Sequence, residues 1–431
     1  MRTWRFPAVG LVALLVTLLV AAACSGGGGS AEPPAPDTRG WTALPAPPVR
    51  APVLRRGQAA VWTGTEALVW GGLPVGTDGC SSTPQPDGAA WDPGTTTWTA
   101  MAPSPIGPRQ DADLLWTGSG AVLVGGRDPL AECESRPGDA RSSALFTPGP
   151  AGGRWTRLPD LPWPADAAVA TSAWAGDRVL VWSPAQGGWS LRPGDPAWTA
   201  LPAPAAEVSR PGGENASASA HSVWTGAEWM VWSSETSTAG TVEAGLAFDP
   251  ATGAWRDVAV GPVLVPGSDV VWTGTQVLAY DPLAGALAYD PSSDRWHRGA
   301  DGPIPLLGSG TGKGGPVVVW AGTRLLVWGG ARERDLGRCT DGDGSDDHSS
   351  DYGGVCNPAT GPLGAAYDSA ADEWTEITDG PWPRRTETAA VWTGRELLLA
   401  GGIDLEVERD GRPRPYPDVP AEAVVTFTPP A

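Results

Sequence analysis

Short apolar runs alternate with turn-forming residues along this chain, and one such arrangement recurs from end to end. The string AAVWTGTEALVWGG at residues 59–72 returns as AAVWTGRELLLAGG at 389–402. In both copies two apolar runs flank a glycine-containing turn, which predicts a β-hairpin. The motif Trp-(Thr/Ala)-Gly at the end of the first run occurs seven times, with its tryptophan at Trp62, Trp116, Trp174, Trp224, Trp272, Trp320 and Trp392.

A second tryptophan series follows the hairpins. In LAFDPATGAW (246–255) and LAYDPSSDRW (287–296) an apolar run enters an aspartate-containing turn and continues into a run that begins beside a tryptophan. This pattern predicts a third and a fourth strand in each unit. Four strands at a mean spacing of about 55 residues are typical of a β-propeller blade. The series comprises Trp98, Trp155, Trp198, Trp255, Trp296 and Trp374.

The two ends of the chain together predict one complete blade. The seventh hairpin is followed by a single further apolar run in AEAVVTFTPPA (421–431), whereas WTALPAP at 41–47 is identical to residues 198–204, which begin a predicted fourth strand. We therefore predict that the N-terminal strand closes the last blade and leaves the ring without exposed strand edges. The predicted fold is an all-β, seven-bladed β-propeller over residues 41–431.

The order of these motifs resembles the kelch repeat, which is the repeat of kelch β-propellers and of the central domain of galactose oxidase. A glycine pair ends the second strand, and an aromatic-Asp-Pro sequence and then a tryptophan follow. The resemblance covers nearly all of residues 41–431, although VLVWSP, WMVWSS and VLAYDP replace the glycine pair in blades 3, 4 and 5. Glycine allows backbone torsions that bulkier residues resist. The pairs are Gly71–Gly72, Gly125–Gly126, Gly329–Gly330 and Gly401–Gly402.

Neither a copper site nor a phosphate-binding loop is expected in this chain. A copper site like that of galactose oxidase needs imidazole ligands, but the three histidines, at positions 221, 297 and 348, fall in three different predicted blades. The sequence GSGTGKGG around Lys313 departs from a phosphate-binding loop, because Leu307 stands six residues before the lysine and Gly314 follows it. We therefore predict no bound cofactor, with calcium, discussed below, as the one open alternative.

The N-terminal segment predicts export and lipid anchoring. Arg2 and Arg5 precede an uninterrupted apolar run at 8–23, which is typical of a secretory signal peptide. The run ends in VAAAC, which resembles a bacterial lipobox and makes Cys24 the residue to be lipidated; an uncleaved membrane anchor is the alternative. Residues 24–40 form a Gly/Ser/Pro-rich tether. We expect an extracytoplasmic protein that contacts the membrane only through this lipid.

The charge of the chain excludes one class of partner. Its formal net charge is −19, with 48 acidic and 29 basic residues, and such a surface repels nucleic acid. The periodic tryptophans are expected to be core residues because they recur at a fixed phase. Trp189 and Trp229 lie outside both series and are the candidates for an exposed carbohydrate platform.

Four long links between second and third strands are predicted to form one raised sector. They span about residues 73–87, 127–142, 331–362 and 403–421, in blades that are neighbours once the ring closes. Long loops on a rigid scaffold commonly carry binding function. The remaining cysteines lie in this sector, and we expect disulfides in an exported protein. The favoured pairs are Cys339–Cys356 and Cys80–Cys133, with other pairings open.

The blade 6 link also contains a candidate calcium site. In CTDGDGSDDHSSDYGGVC (339–356) the oxygen-bearing residues alternate as they do at the start of a calcium-binding loop. Asp346 and Tyr352 stand where an EF-hand has glycine and glutamate, so a solvated acidic loop is the alternative. The candidate ligands are Asp341, Asp343, Ser345 and Asp347.

Arginines precede the first strands of blades 1, 2 and 7, at Arg55, Arg56, Arg109, Arg384 and Arg385. They are either structural, as arginines often are at this point of a kelch repeat, or part of a patch that binds a carboxylate-bearing glycan or peptide. We expect a non-catalytic scaffold for an envelope protein or glycan. The alternative is an enzyme that hydrolyses envelope saccharides, with acidic residues as general acid and base. An exposed carboxylate pair in the central funnel would favour that enzyme.

Overall fold

The computed structural model shows a ring of seven four-stranded antiparallel sheets, so the predicted seven-bladed β-propeller is confirmed. The short apolar runs form strands because β-branched and aromatic residues pack well on a pleated, buried surface. The one helical element in the described residues is a 3-10 turn at Pro150–Gly152. The structure describes residues 40–45, 47, 55–74, 86–128, 140–164, 169–204, 217–237, 240–261, 269–281, 284–302, 306–307, 315–332, 364–377, 380, 385–404 and 424–429.

The blades follow the chain. Blade 1 comprises β3 (Ala59–Trp62), β4 (Ala67–Trp70), β6 (Gly88–Asp92) and β7 (Thr97–Ala100). Blade 2 comprises β8 (Gln110–Trp116), β9 (Ala121–Arg127), β10 (Ala144–Thr147) and β11 (Arg154–Arg157). Blade 3 comprises β12 (Thr171–Trp174), β13 (Val179–Ser183), β14 (Gly187–Leu191) and β15 (Thr199–Ala200). Blade 4 comprises β16 (Ser217–Trp224), β17 (Trp229–Ser237), β18 (Gly240–Asp249) and β19 (Ala254–Asp257).

The remaining blades close the ring. Blade 5 comprises β20 (Asp269–Trp272), β21 (Val277–Asp281), β22 (Gly285–Asp290) and β23 (Arg295–Arg298). Blade 6 comprises β25 (Val317–Trp320), β26 (Arg324–Trp328), β28 (Gly364–Asp368) and β29 (Glu373–Ile377). Blade 7 comprises β31 (Ala389–Trp392), β32 (Leu397–Ala400), β34 (Val425–Phe427) and β1 (Trp41–Ala43). The first strands of neighbouring blades contact one another around the whole ring and surround a central channel.

The N-terminal strand closes blade 7, as predicted. In this sheet β1 pairs antiparallel with β34, and Trp41 lies opposite Phe427. The ring of Trp41 also packs against Phe427, with centroids 4.7 Å apart. The first and last described strands therefore lie in one sheet.

Seven hydrophobic clusters hold the ring together, one at each seam between blades. Each cluster combines residues of two neighbouring blades, and an inner-strand tryptophan lies at its edge, as Trp62 does between blades 7 and 1. The apolar residues of the second strands are buried, for example Leu68, Val69 and Trp70 at 0% exposure. Because burial of large apolar side chains is a main source of folding free energy, these seams are the core of the protein.

The outer tryptophans link the blades through a regular hydrogen bond. In blades 1 to 6 the indole Nε1 of the outer tryptophan donates to the carbonyl of the residue four positions after the outer tryptophan of the preceding blade. Examples are Trp98 to Pro45 (3.0 Å) and Trp155 to Ala102 (2.9 Å). The same bond recurs from Trp198, Trp255, Trp296 and Trp374. The periodic tryptophans are thus structural.

One expectation about the tryptophans was wrong. Trp229 is fully buried in the seam between blades 3 and 4, so it cannot form an exposed carbohydrate platform. The register explains this, because Trp229 begins the buried second strand of its blade. Trp189 is half-buried, and its indole donates to the Gln186 carbonyl.

Three short ladders lie where the chain enters or leaves the predicted long links. They pair β2 (Arg55–Arg56) with β5 (Leu73–Pro74), β24 (Leu306–Leu307) with β27 (Ala331–Arg332), and β30 (Arg385–Thr386) with β33 (Ile403–Asp404). These ladders place the start of three links beside the start of the first strands. Blade 4 adds a long β17–β18 hairpin that the sequence pattern did not single out.

In the described part of the chain, no helix is long and apolar enough to cross a membrane.

Candidate functional site at the channel mouth

The glycine pairs and the arginines form one continuous structural chain across blades 6, 7, 1 and 2. Within a blade, the guanidinium donates to the first carbonyl of the glycine pair, as Arg55 does to Gly71 (3.1 Å) and Arg385 to Gly401 (3.2 Å). Between blades, the second glycine donates its N–H to the carbonyl of the next arginine. These bonds join Gly330 to Arg385 (2.9 Å), Gly402 to Arg55 (2.7 Å) and Gly72 to Arg109 (2.8 Å).

This contact between blades explains why glycine is required. Gly71 has a φ of 75°, and a Cβ there would lie 2.7 Å from the Arg109 carbonyl oxygen. Gly401 has a φ of 66°, and a Cβ there would overlap the Arg55 carbonyl oxygen. The glycine pair therefore serves both a left-handed torsion and the close approach of the next blade.

Burial favours the structural alternative for three of the predicted arginines. Arg55, Arg109 and Arg385 are 3%, 1% and 3% exposed. Arg55 also forms an ion pair with Asp87 (2.6 Å), and Arg109 donates to the Ser142 hydroxyl. Their guanidiniums are engaged inside the protein, which leaves little for an external anion. Arg384 lies outside the described residues.

A row of left-handed residues lies at the channel mouth, by which we mean the end of the channel where the first strands begin. Gly57, Asp111 and Glu387 have φ values of 63°, 59° and 54°, and each lies five residues before the first-strand tryptophan of its blade. Gly57 N–H donates to the Glu387 carbonyl (3.1 Å), and Asp111 N–H donates to the Gly57 carbonyl (2.8 Å). Left-handed torsions are unfavourable for residues other than glycine and often occur at functional sites.

These torsions bring two carboxylates to neighbouring positions on either side of Gly57. A Cβ on Gly57 would lie 2.6 Å from Oδ1 of Asp111, so the absence of a side chain there makes room for this carboxylate. Asp111 accepts from Arg127 (2.7 Å), and Glu387 lies 3.4 Å from Arg56. Two guanidiniums thus face two carboxylates.

Burial gives Glu387 an altered proton affinity. Its side chain is 8% exposed, and this desolvation raises its pKa above the usual value, because the charged form loses water. The charge of Arg56 opposes the rise and that of Asp111 reinforces it. The backbone hydrogen bonds through Gly57 place the two acids at adjacent positions of the mouth.

Two buried polar side chains beside this pair have unused hydrogen-bonding capacity. Neither amide atom of Gln58 has a partner within the described structure, and the same holds for the hydroxyl of Thr388. Both residues lie four positions before the first-strand tryptophan, in blades 1 and 7. Gln58 reaches across the seam, since a Cβ on Gly401 would overlap its Oε1. Buried polar groups are usually satisfied, so this pair calls for an explanation.

A lower tier of polar residues continues around the channel through blades 2, 3 and 4. Ser172 donates to Asp113 (2.6 Å), and Thr171 shares a hydrogen bond with Ser222 (2.7 Å). In each bond, one blade contributes the residue two positions before its first-strand tryptophan. The preceding blade contributes the residue three positions before its own first-strand tryptophan.

The next seam interrupts this pattern. Val270 stands where a serine would meet His221, and Nε2 of His221 is buried without a partner among the described residues. Burial lowers the pKa of His221, and the nearby charge of Asp269 partly opposes that shift. The imidazole is therefore held in its neutral form near neutral pH.

The other predicted sites lie outside the described residues. They are the candidate calcium ligands Asp341, Asp343, Ser345 and Asp347, the lipidation residue Cys24, and the cysteines Cys80, Cys133, Cys339 and Cys356. In the described ranges, no group of three or more His, Cys, Asp or Glu side chains is arranged to hold a metal ion. Calcium binding and the disulfides stay predictions.

No family model matches the chain, and no curated protein is significantly similar to it. The functional argument therefore depends on the fold and on the channel mouth. Sequence analysis missed Asp111 and Glu387. Alignment of the seven units on their tryptophans would have placed both acids opposite Gly57 and exposed them as candidates.

Proposed function

We propose that this protein is a lipid-anchored, extracytoplasmic, kelch-like propeller that acts as a non-catalytic binding scaffold for an envelope protein or glycan. The observation that carries this proposal is the concentration of polar groups at the mouth of a closed, rigid ring. Three of the predicted long links begin beside the same end of the first strands. Binding residues on rigid elements lose little conformational entropy when a ligand binds.

The kelch-like assignment is supported by the role of the glycine pairs. In blades 1, 6 and 7 each pair takes positive φ and donates to the backbone of the next blade. A repeat that carries its own contact with the next repeat explains why the motif recurs at a fixed phase. We extend this likeness to the galactose oxidase central domain for the fold alone.

A non-catalytic role is favoured over hydrolysis by the state of the two carboxylates. Asp111 and Glu387 are neighbouring acids, but each carboxylate is paired with an arginine, Asp111 with Arg127 at 2.7 Å and Glu387 with Arg56 at 3.4 Å. A general acid or base has to exchange a proton with the substrate oxygen or the attacking water, whereas a carboxylate held against a guanidinium is suited to hydrogen bonding with a ligand. The raised pKa of Glu387 is the one observation that favours the hydrolase as a second candidate.

Photo-crosslinking in the native envelope tests the binding function. A photoreactive amino acid at Asp128, beside the channel mouth, should form a discrete adduct, whereas the same residue at Thr65, on the exposed turn at the opposite face, should not. Equal labelling from both faces, or no adduct from either, would contradict the proposal. Turnover of an envelope saccharide that is lost in Glu387→Gln would establish the hydrolase instead.

The lipid anchor has a separate test. Cys24→Ala should release the protein from the membrane fraction into the extracytoplasmic soluble fraction, because the lipid is the proposed attachment. Metabolic labelling with a fatty acid should mark the natural chain and not the variant. Retention of the unlabelled Cys24→Ala protein in the membrane would favour an uncleaved anchor.

A further inference from the structure

We infer that the channel mouth binds a neutral, hydroxyl-rich ligand, the end of a saccharide chain. This inference rests on the proposed binding function and names the chemical class of the ligand. It replaces the carboxylate-bearing ligand that the arginines alone suggested.

The charges at the mouth argue for a neutral ligand. Arg56 and Arg127 face Glu387 and Asp111, so the four formal charges cancel. The three other described arginines of the predicted patch are buried and engaged. The chain as a whole carries a net charge of −19, which repels an incoming anion. An anionic ligand would have to displace a carboxylate from its arginine before it could bind.

The hydrogen-bonding groups at the mouth match sugar hydroxyls. A hydroxyl donates one hydrogen bond and accepts others. A guanidinium beside a carboxylate offers donors and acceptors side by side, and Arg56 and Arg127 retain 23% and 44% exposure for this purpose. Charged and planar side chains are well suited to such paired contacts.

Gln58 supplies unpaired hydrogen-bond donors and an acceptor that a ligand would engage. Its amide has two donors and one acceptor, all without a partner in the described structure. The residue is 9% exposed and its side chain lies between Gly72 and Gly401, so we expect it to turn toward the mouth when a ligand binds. The hydroxyl of Thr388, in the equivalent position of blade 7, is in the same state. A ligand that satisfies these atoms removes the cost of burying them alone.

Below the mouth, the first strands of blades 2 to 4 carry polar side chains. Blades 2 to 4 present the carboxylate of Asp113, the hydroxyls of Thr171 and Ser222, and the neutral imidazole of His221. At the same two register positions, blades 6, 7 and 1 carry Val317–Val318, Ala389–Ala390 and Ala59–Ala60, which pack into the seams between blades. The polar groups that continue from the mouth toward the interior of the ring therefore lie on the side of blades 2 to 4.

The backbone torsions at the mouth indicate that the two carboxylates are held in place at an energetic cost. Asp111 and Glu387 occupy left-handed torsions where blade 1 has glycine. Asp111→Gly is therefore an informative variant, because it removes the carboxylate and also relieves the torsional strain. Its fold should be retained, so a loss of binding reports on the ligand contact and not on stability.

The test uses the full chain and a printed array of neutral oligosaccharides together with their uronic-acid-bearing counterparts. We expect retention of one or more neutral oligosaccharides, with affinity that does not depend on salt because no net charge is neutralised. Gln58→Leu should weaken the titrated affinity roughly tenfold, the contribution of about one hydrogen bond. Thr65→Ala, on the opposite face, is the matched control and should bind like the natural chain.

Asp111→Gly gives the sharpest outcome. It removes one negative charge from the mouth, so neutral binding should fall and binding of the uronic-acid counterparts should rise. Retention of acidic oligosaccharides alone by the natural chain, or unchanged affinity in both Gln58→Leu and Asp111→Gly, would overturn the inference. A blank array beside a protein adduct from position 128 would refute the saccharide ligand but keep the scaffold, whereas a blank array with no adduct would refute both.

Discussion

Replacing Gly401 by alanine should destabilise the ring at its closing seam far more than the same change at Gly394. Both glycines lie in blade 7 and have positive φ, 66° and 89°. A left-handed torsion costs about 1–2 kcal/mol for an L-residue. Nothing lies within 4 Å of a Cβ on Gly394, so this torsional cost is the whole effect expected there.

At Gly401 the methyl group would overlap the Arg55 carbonyl oxygen of blade 1 and Oε1 of Gln58. Relief of this overlap requires the two blades to separate, and overpacking of this kind costs about 1–3 kcal/mol. It also weakens the bond from Gly402 N–H to Arg55, which contributes about 1 kcal/mol. We therefore expect the free energy of unfolding to fall by about 4 kcal/mol in Gly401→Ala and by about 1.5 kcal/mol in Gly394→Ala.

Denaturant unfolding followed by tryptophan fluorescence measures this difference, since the tryptophans of the described residues lie in or against the seams. A lower midpoint for Gly401→Ala than for Gly394→Ala supports the reasoning. Equal losses of stability in the two variants would show that glycine is needed at position 401 only for its left-handed torsion. In that case the contact with the next blade would not be the reason for the pair.

Three further predictions address the ring closure and the response to pH. Trp41→Ala should lower the free energy of unfolding by about 3–5 kcal/mol, because it leaves a cavity in the seam that β1 completes. Thr42→Ala, at an exposed position of the same strand, is the control and should leave the stability unchanged; thermal unfolding compares the two variants. Hydrogen bonds from Ser292 and Ser293 lower the pKa of Asp290 to about 2. The stability that ionised Asp290 contributes is therefore present above the ordinary pKa of aspartate and is lost as the pH falls through about 2. Asp290→Asn should flatten that part of an acid-unfolding curve. Burial lowers the pKa of His221 below 6.5, so its unfolded form binds a proton first and stability should decline as the pH falls below 6.5; an NMR titration that finds a normal or raised pKa would contradict this.

The repeat made the fold predictable. A tryptophan at a fixed phase indicates that each unit packs against its neighbour in the same way, and the seven seams have this property. The shared WTALPAP segment indicated that Trp41 begins a fourth strand, and pairing of β1 with β34 confirms it. These inferences succeeded because periodicity and strand number are local properties that the chain repeats.

The channel mouth was not predictable in this way. Arg55 and Arg56 are adjacent in sequence, yet one is buried against Gly71 and the other faces Glu387. Asp111 and Glu387 are separated by most of the chain, and neither belongs to a recurring motif. They become neighbours only because the ring closes between blades 7 and 1, with Gly57 between them. The sequence by itself determined the blade and the number of blades, since each unit encodes its own packing. Only the tertiary structure decided which of the non-repeating side chains meet, because that depends on how the closed ring aligns the starts of its first strands.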